Sequence, residues 1–472
     1  MADSTQPRIS PVGLPALALY LILAIWLAAL GFRVLYVTQI NPDPDLTGDG
    51  VFYHGLANDL ADGEGFRLRR LDFSSRREVA DHPPGYPVLL SLASRAGLDS
   101  LDDHRLVTAL VGSLSVPLLG LAAGRLAGAG RRDKRASQRL ASWAAVSAAV
   151  LAALDVNMWV WDPLLLAEPL VLVAAAAWLY SSLVYDDRPS LVAAGAMGLT
   201  LGVAAATRSE VLLAALVVPV LLWRHRALPW TRLALHGAVA GAATAVVLGP
   251  WVWTNLHRFE EPVIMTTGLG NTLVQANCDA AFYGPATGYS DYNCFSRTRS
   301  LVSPEMDESE KDVLFRRIGL DYIKDHPTRF PVVATARLAR TFGLFRPVQQ
   351  VGYMEGVELR GPHPVVWAGV VSWQLLMPLG IAGVVLARRE GTLIAPVVAV
   401  AAAVVLAVAL TQGSDRYRMA LEPLLIAYAG LAVARGLAVV GRSTPALKPT
   451  GLGRWLRKWS PRPDPPAEVG AP

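Results

Sequence analysis

Long apolar runs separated by short polar turns dominate the chain. The first, Val12 to Val37, exceeds the apolar region of a signal peptide and is followed by no cleavage-like site, so it reads as a signal anchor. Further runs predict spans at Leu106 to Leu126, Leu140 to Leu154, Leu164 to Tyr185, Leu191 to Thr207, Val211 to Trp223, Leu233 to Trp253, Val365 to Ala387, Thr392 to Leu410 and Met419 to Val439. Roughly 20 residues cross about 30 Å of hydrocarbon, so the pattern predicts an all-α polytopic membrane protein with about ten transmembrane helices. Two long polar segments, 38–105 and 255–364, interrupt it. The expected organisation is a membrane module over 1–254 that includes the first of these loops, a cap over 255–364, closing helices over 365–440 and a basic tail over 441–472.

Composition agrees and narrows the class. Of 472 residues, 53% are hydrophobic and 17% charged, with a mean hydropathy of +0.37, which excludes an ordinary soluble domain and a disordered chain. The net charge of +5 gathers in short turns and the tail, at Arg131, Arg132, Lys134, Arg135 and Arg139, at Arg224 and Arg226, at Arg388 and Arg389, and from Arg442 to Lys458. That placement sets topology and does not point to a nucleic-acid partner. It puts both termini in the cytoplasm and both long segments outside the inner membrane. The proline-rich tail reads as a solvated segment lying against anionic lipid or, alternatively, holding a partner.

Ionisable residues avoid the middles of the spans, where a transporter would need them, and collect at one end. Asp49, His82, Asp155, Asp162, Glu168, Arg208, Glu210, Asp415, Arg416 and Arg418 all map to the predicted outer ends of helices or the loops between them. Such a site suits an amphiphile whose tail stays in lipid. After Gly48-Asp49-Gly50, the recurrence of Phe52, Leu56 and Leu60 predicts a short helix in the membrane plane, with Tyr53 and His54 turned elsewhere. Asp49 then reads either as its N-cap or as a reactive carboxylate. His82, before Pro83-Pro84-Gly85, reads as a hydrogen-bonded loop residue or a ligand. Arg208 and Arg416 read as interhelical ion-pair partners or as a clamp on phosphate.

The order Gly48-Asp49-Gly50-Val51-Phe52-Tyr53-His54, then Asn58 to Phe66, then His82-Pro83-Pro84-Gly85-Tyr86-Pro87, resembles the first outer loop of GT-C membrane glycosyltransferases. The likeness is to the branch containing protein mannosyltransferases and the lipid A aminoarabinose transferase, glycosyltransferase family 39-like. Ala167-Glu168-Pro169-Leu170, Thr207-Arg208-Ser209-Glu210, Gly249-Pro250-Trp251 and Arg416-Tyr417-Arg418 extend the resemblance to most of the chain. It implies a GT-C fold with juxtamembrane helices and a transferase moving a sugar from a polyprenyl-phosphate donor to a glycan, glycolipid or protein acceptor outside the membrane, by inversion. It implies Asp49 as general base, and Arg208, Arg416, Tyr417 and Arg418 on the donor phosphate. Tyr53, His54, His82, Glu168 and Glu210 would bind substrate or support the site. No nucleotide is expected, since no phosphate-binding glycine loop occurs. Some relatives hold a divalent metal, for which Asp49, Glu64 and His82 are the candidates. An outer-leaflet ligase using a diphosphate-linked glycan, and a flippase, are the competing functions.

In the second segment Cys278 and Cys294 are the chain's two cysteines. On an oxidising side they predict a disulfide, with free thiols the alternative. The Tyr, Asn and Asp content around them fits a carbohydrate-contacting lid or a structural cap. Helices are expected over Glu310 to His326 and over Phe330 to Phe345, the latter on the outer leaflet with Arg337, Arg340 and Arg346 meeting substrate or lipid phosphates.

Overall fold

A computed structural model of the chain describes residues 13–69, 76–128 and 134–443. The basic turn at Arg131 and Arg132 and the tail from 444 onward lie outside the described residues. Contacts divide the chain into a unit over 1–434 and a second over 435–472. The first contains everything described below except the end of the last helix, from Arg435 onward.

That unit is almost wholly helical. The first helix, α1 (Ala16–Leu35), continues as a π-helical turn, Tyr36–Ile40. The first loop holds α2 (Gly48–Ala61), an antiparallel ribbon β1 (Arg67–Arg69) and β2 (Arg76–Glu78), and α3 (Gly85–Arg95). The bundle proceeds through α4 (Leu101–Ser113), α5 (Ser115–Gly128), α6 (Lys134–Leu154), α7 (Glu168–Asp187), α8 (Leu191–Thr207), α9 (Val217–Arg224) and α10 (Trp230–Arg258). The cap comprises α11 (Leu269–Ala276), α12 (Asp279–Phe282), α13 (Tyr292–Thr298), α14 (Glu308–Asp325), α15 (Phe330–Thr341) and α16 (Pro347–Gly356). Then α17 (His363–Arg389), α18 (Ala395–Leu410) and α19 (Glu422–Ser443) close the order.

Six helices among the described residues are long and apolar enough to cross a membrane, and a seventh is bent by 79° between 135–154 and 156–164. The protein is a multi-pass membrane protein. The expectation of ten spans meets three departures. The helices α8 and α18 are apolar but only 17 and 16 residues long. The span expected over Val211 to Trp223 is a 3-10 segment, Ser209–Leu216, followed by the eight-residue α9. Pro219 accounts for the break, because it has no N–H to donate and its ring collides with the carbonyl four residues earlier. The ribbon in the first loop was also unforeseen.

Packing relies on small residues, as expected where lipid gives no hydrophobic drive between helices. A Cβ on Gly198 would collide with the α10 backbone at Ala240, and one on Gly383 with the α19 backbone at Tyr428. The core is centred on α7, whose Trp178, Leu179 and Leu172 are fully buried. In the cap, α11 packs against α14, and Cys278 is joined to Cys294 with their Cα atoms 6.3 Å apart. The sequence predicted α15 on the outer leaflet with Arg337 and Arg340 meeting substrate or lipid phosphates. Instead Arg337 and Arg340 are fully buried, donating to the carbonyls of Ala409 (2.9 Å) and Thr287 (2.7 Å). Guanidiniums can be buried this way because carbonyls left unpaired at loop and helix ends accept their N–H groups.

Candidate active site

Six helix ends meet at one end of the bundle. The first is the start of α2. Thr47, not Asp49, is its N-cap, its hydroxyl accepting from the Gly50 N–H. Asp49 is therefore freed from capping and sits in the first turn, where the helix dipole favours a negative charge. Gly50 allows the placement, because a side chain there would strike the Leu164 carbonyl of the turn leading into α7. The second is the His82-Pro83-Pro84 entry to α3, which docks through Gly85 on the Ala206 carbonyl at the end of α8. His82 is thereby brought to 3.7 Å from Asp49 Oδ1, its ring against those of Phe52 (5.0 Å) and Tyr53 (5.1 Å).

Glu168 opens α7 and Arg208 closes α8, each matching the helix dipole. Glu210 follows on the 3-10 segment, and Arg416 and Tyr417 stand on a 3-10 turn, Asp415–Arg418, before α19. Arg416 is the hub. Its Nε donates to Glu168 Oε1 at 2.7 Å and its Nη1 to Asp49 Oδ2 at 3.1 Å. Arg208 donates to the Arg416 carbonyl, lies 3.9 Å from Glu168 and 3.5 Å from Glu210, and stacks its guanidinium over the Tyr417 ring at 5.2 Å. Asp49 and His82 are about one-third exposed, while Glu168 is buried at 1%. Five sequence candidates, Asp49, His82, Glu168, Arg208 and Arg416, thus form one contiguous cluster with Glu210 and Tyr417 at its edge.

Charge in the cluster is mutually adjusted. Burial alone would raise the pKa of Asp49, but Arg416, then His82 and Arg208, hold its carboxyl below the usual range. Arg416 is held firmly protonated: burial works against its charge, and Glu168, Asp49 and Glu358 outweigh it. The Tyr53 phenol is pushed well above its ordinary value, first by burial and then by Asp49, so it stays neutral. Tyr53 is buried, contrary to the stripe expected from Phe52, Leu56 and Leu60; the packed face is Tyr53, Leu56 and Ala57.

Three candidates stand elsewhere. His54 turns to α4, its Nδ1 3.0 Å from that of His104, which in turn meets Ser94 (2.9 Å). Arg418 is buried and directed away from Arg416, donating to Glu422 (3.2 Å) and the Thr341 carbonyl (2.9 Å), with Trp373 beneath it at 4.3 Å. Glu64 is exposed, and among the described residues no group of three His, Cys, Asp or Glu side chains is spaced to hold a metal ion. Asp49 and His82 do not gain a third ligand from it.

Three residues that sequence reasoning missed, Glu358, Arg360 and Ser414, support the site from beneath. Arg360 pairs with Asp415 and Glu358, and Ser414 donates to Glu358 (3.1 Å) while accepting from the Arg416 N–H (3.3 Å). The turn that carries Arg416 is therefore pinned to the segment before α17. The available signal was a Glu-Leu-Arg triplet in a polar stretch next to a span.

No family model matches the chain, and no curated protein matches its sequence. Among solved structures, the chain is similar to the archaeal oligosaccharyltransferase AglB from Archaeoglobus fulgidus, in complex with an inhibitory peptide and a dolichol-phosphate. The TM-score is 0.46 at 12% identity, covering 93% of this chain and 53% of that one, so the chain spans about half the length of that enzyme. It is also similar to ArnT from Cupriavidus metallidurans bound to undecaprenyl phosphate, with a TM-score of 0.39 at 15% identity over 92% of this chain and 81% of that one. All these scores lie below 0.5, so the chemistry of this chain is read from its own side chains.

Proposed function

We propose that the protein is a membrane glycosyltransferase that moves a sugar from a polyprenyl-phosphate donor to a hydroxyl acceptor at the extracytoplasmic face of the cytoplasmic membrane. The observation that carries this reading is the convergence of one partly exposed carboxylate, Asp49, with two guanidiniums, Arg208 and Arg416, where several helix ends meet. The arginines suit a lipid phosphate, whose negative charge grows as the sugar departs, because N–H donors fixed at that point stabilise the transition state more than the ground state. Asp49 takes the acceptor proton as the acceptor oxygen attacks the anomeric carbon. The bond from that carbon to the phosphate oxygen breaks, its electron pair stays on the phosphate, and a direct displacement of this kind inverts the centre.

His82 lies beside the carboxylate at 3.7 Å, and the buried ring of Tyr53 packs against His82 and holds it there. Glu168 holds both arginines in place. The position of the cluster at helix ends lets the prenyl chain remain in lipid while the phosphate and sugar reach the site.

The test is transfer from a panel of radiolabelled polyprenyl-monophosphate sugars into total membrane acceptors, with Asp49→Asn assayed beside the native protein. Transfer of one sugar that disappears in the variant is expected. Absence of transfer from every monophosphate donor would sink the reading and turn attention to a diphosphate-linked glycan.

A further inference from the structure

The position of Arg416 raises a conflict within the site. Its Nη1 is already engaged by Asp49, the carboxylate required to accept a proton. A guanidinium on that oxygen occupies a lone pair and lowers basicity, so the two groups as paired here inhibit each other. The charge balance points the same way. Three carboxylates, Asp49, Glu168 and Glu210, pair directly with two guanidiniums, with His82 and the neutral Tyr53 beside them and Glu358 matched by Arg360 beneath. A phosphate enters such a cluster favourably only if one carboxylate gives way.

The structure distinguishes which one. Glu168 is buried at 1%, and its Oε2 has no hydrogen-bond partner, so it has a spare acceptor for a guanidinium that rotates. Glu210 pairs with Arg208, at 3.5 Å, and not with Arg416 among the described residues. Asp49 is one-third exposed, on the first turn of a helix, joined to Arg416 by a single 3.1 Å bond, with His82 3.7 Å from its other oxygen. It is the partner that Arg416 can release at least cost, because water can solvate it and the anchor at Glu168 persists.

We propose that Arg416 exchanges Asp49 for the donor phosphate while pivoting on Glu168, so that the base is released only when the donor has arrived. This rests on the transferase reading above and adds an order to it: donor binds first, and the acceptor meets a competent base only afterwards. After transfer the lipid phosphate carries an additional charge and keeps Arg416, so the spent carrier inhibits competitively against donor until it leaves. Its departure returns Asp49 to Arg416.

Two measurements test the exchange with the purified full chain in detergent, using undecaprenyl phosphate as probe. Asp49→Asn removes the competitor, so its dissociation constant for the probe is expected to fall by about tenfold, the scale of one charge-assisted contact no longer contested. In the native protein, modification of Asp49 by a water-soluble carbodiimide, read by peptide mass spectrometry, should rise several-fold when the probe is added, since the released carboxyl protonates more readily. An unchanged or weaker affinity in a folded Asp49→Asn protein overturns the exchange and leaves the transferase reading standing. Unchanged or reduced labelling in the native protein does the same, and needs no variant. If the native protein does not bind the probe, or binds phosphatidylglycerol equally well, the transferase reading falls and the exchange with it.

Discussion

Arg416 and Arg418 lie two residues apart on one 3-10 turn and inhabit opposite worlds. Arg416 faces a cluster whose members, Glu168 excepted, are between 16% and 33% exposed. Arg418 faces a sealed network in which it, Glu422 and Asp415 are all exposed by 3% or less. Asn157 completes the sealed side by donating to Glu422 at 2.8 Å, and Arg360 binds Asp415 from the segment before α17. The difference teaches that burial decides what an arginine does. Where water reaches one partner, an ion pair can be exchanged cheaply for a ligand. Where it does not, removing a partner strands a charge, and the pair can only hold structure.

The contrast can be broken most severely at Asp49. Asp49→Asn should lower transfer by about a hundredfold to ten-thousandfold, the usual contribution of a positioned base, while the thermal midpoint in detergent stays near that of the native protein. A large loss of midpoint would move Asp49 to the structural side. Arg418→Ala should behave in the reverse way, losing about 3–5 kcal/mol of stability by stranding Glu422, as a shifted unfolding midpoint would register. Arg416→Ala sharpens the pair: a raised donor KM with little change in midpoint is expected, and matching midpoint losses in the two variants would erase the distinction.

The cap offers a milder case. Replacing Cys278 and Cys294 with serine removes a link that closes a loop of 16 residues and should cost about 3 kcal/mol in the chain-entropy account, with donor KM unaltered. The last expected effect is a change of slope with pH. Burial, together with the charge of Asp81, pushes the Glu308 carboxyl up to about 8, against the pull of Arg77. A carboxyl raised on folding contributes stability that is complete below its unfolded value, near 4.5, and is lost as pH rises through about 8. Glu308→Gln should therefore flatten the decline of the unfolding midpoint across that window. An unchanged slope would remove Glu308 from the account.

Much of the site was legible because helix ends are legible. Asp49, Glu168, Arg208 and Arg416 each border an apolar run, and alternating crossings bring such borders to a common end. Directions of side chains were harder. His54 is five residues beyond Asp49, about 140° around an α-helix, which turns it to α4 and not to the site. Arg418, two residues beyond Arg416, is about 120° away around a 3-10 turn, enough to bury it. Arg360 and Glu358 escaped notice because their partners lie more than 50 residues further on. The ribbon over Arg67–Arg69 and Arg76–Glu78 escaped because its residues are mostly arginine and show no apolar alternation.

The short helices beside the site have a consequence for the surrounding bilayer. The 3-10 segment after Arg208 packs between α8 and α18, whose 17 and 16 residues reach about 26 and 24 Å. Typical hydrocarbon is about 30 Å thick, so this wall imposes a hydrophobic mismatch of several Å, which lipid accommodates by thinning locally. On the proposed function, a leaflet that dips here would lower its headgroups toward Arg208, and a lipid carrier drifting along it would arrive with its phosphate already at the depth of the guanidiniums. Vesicles of graded acyl-chain length should then favour the shorter chains, making membrane thickness itself a determinant of turnover.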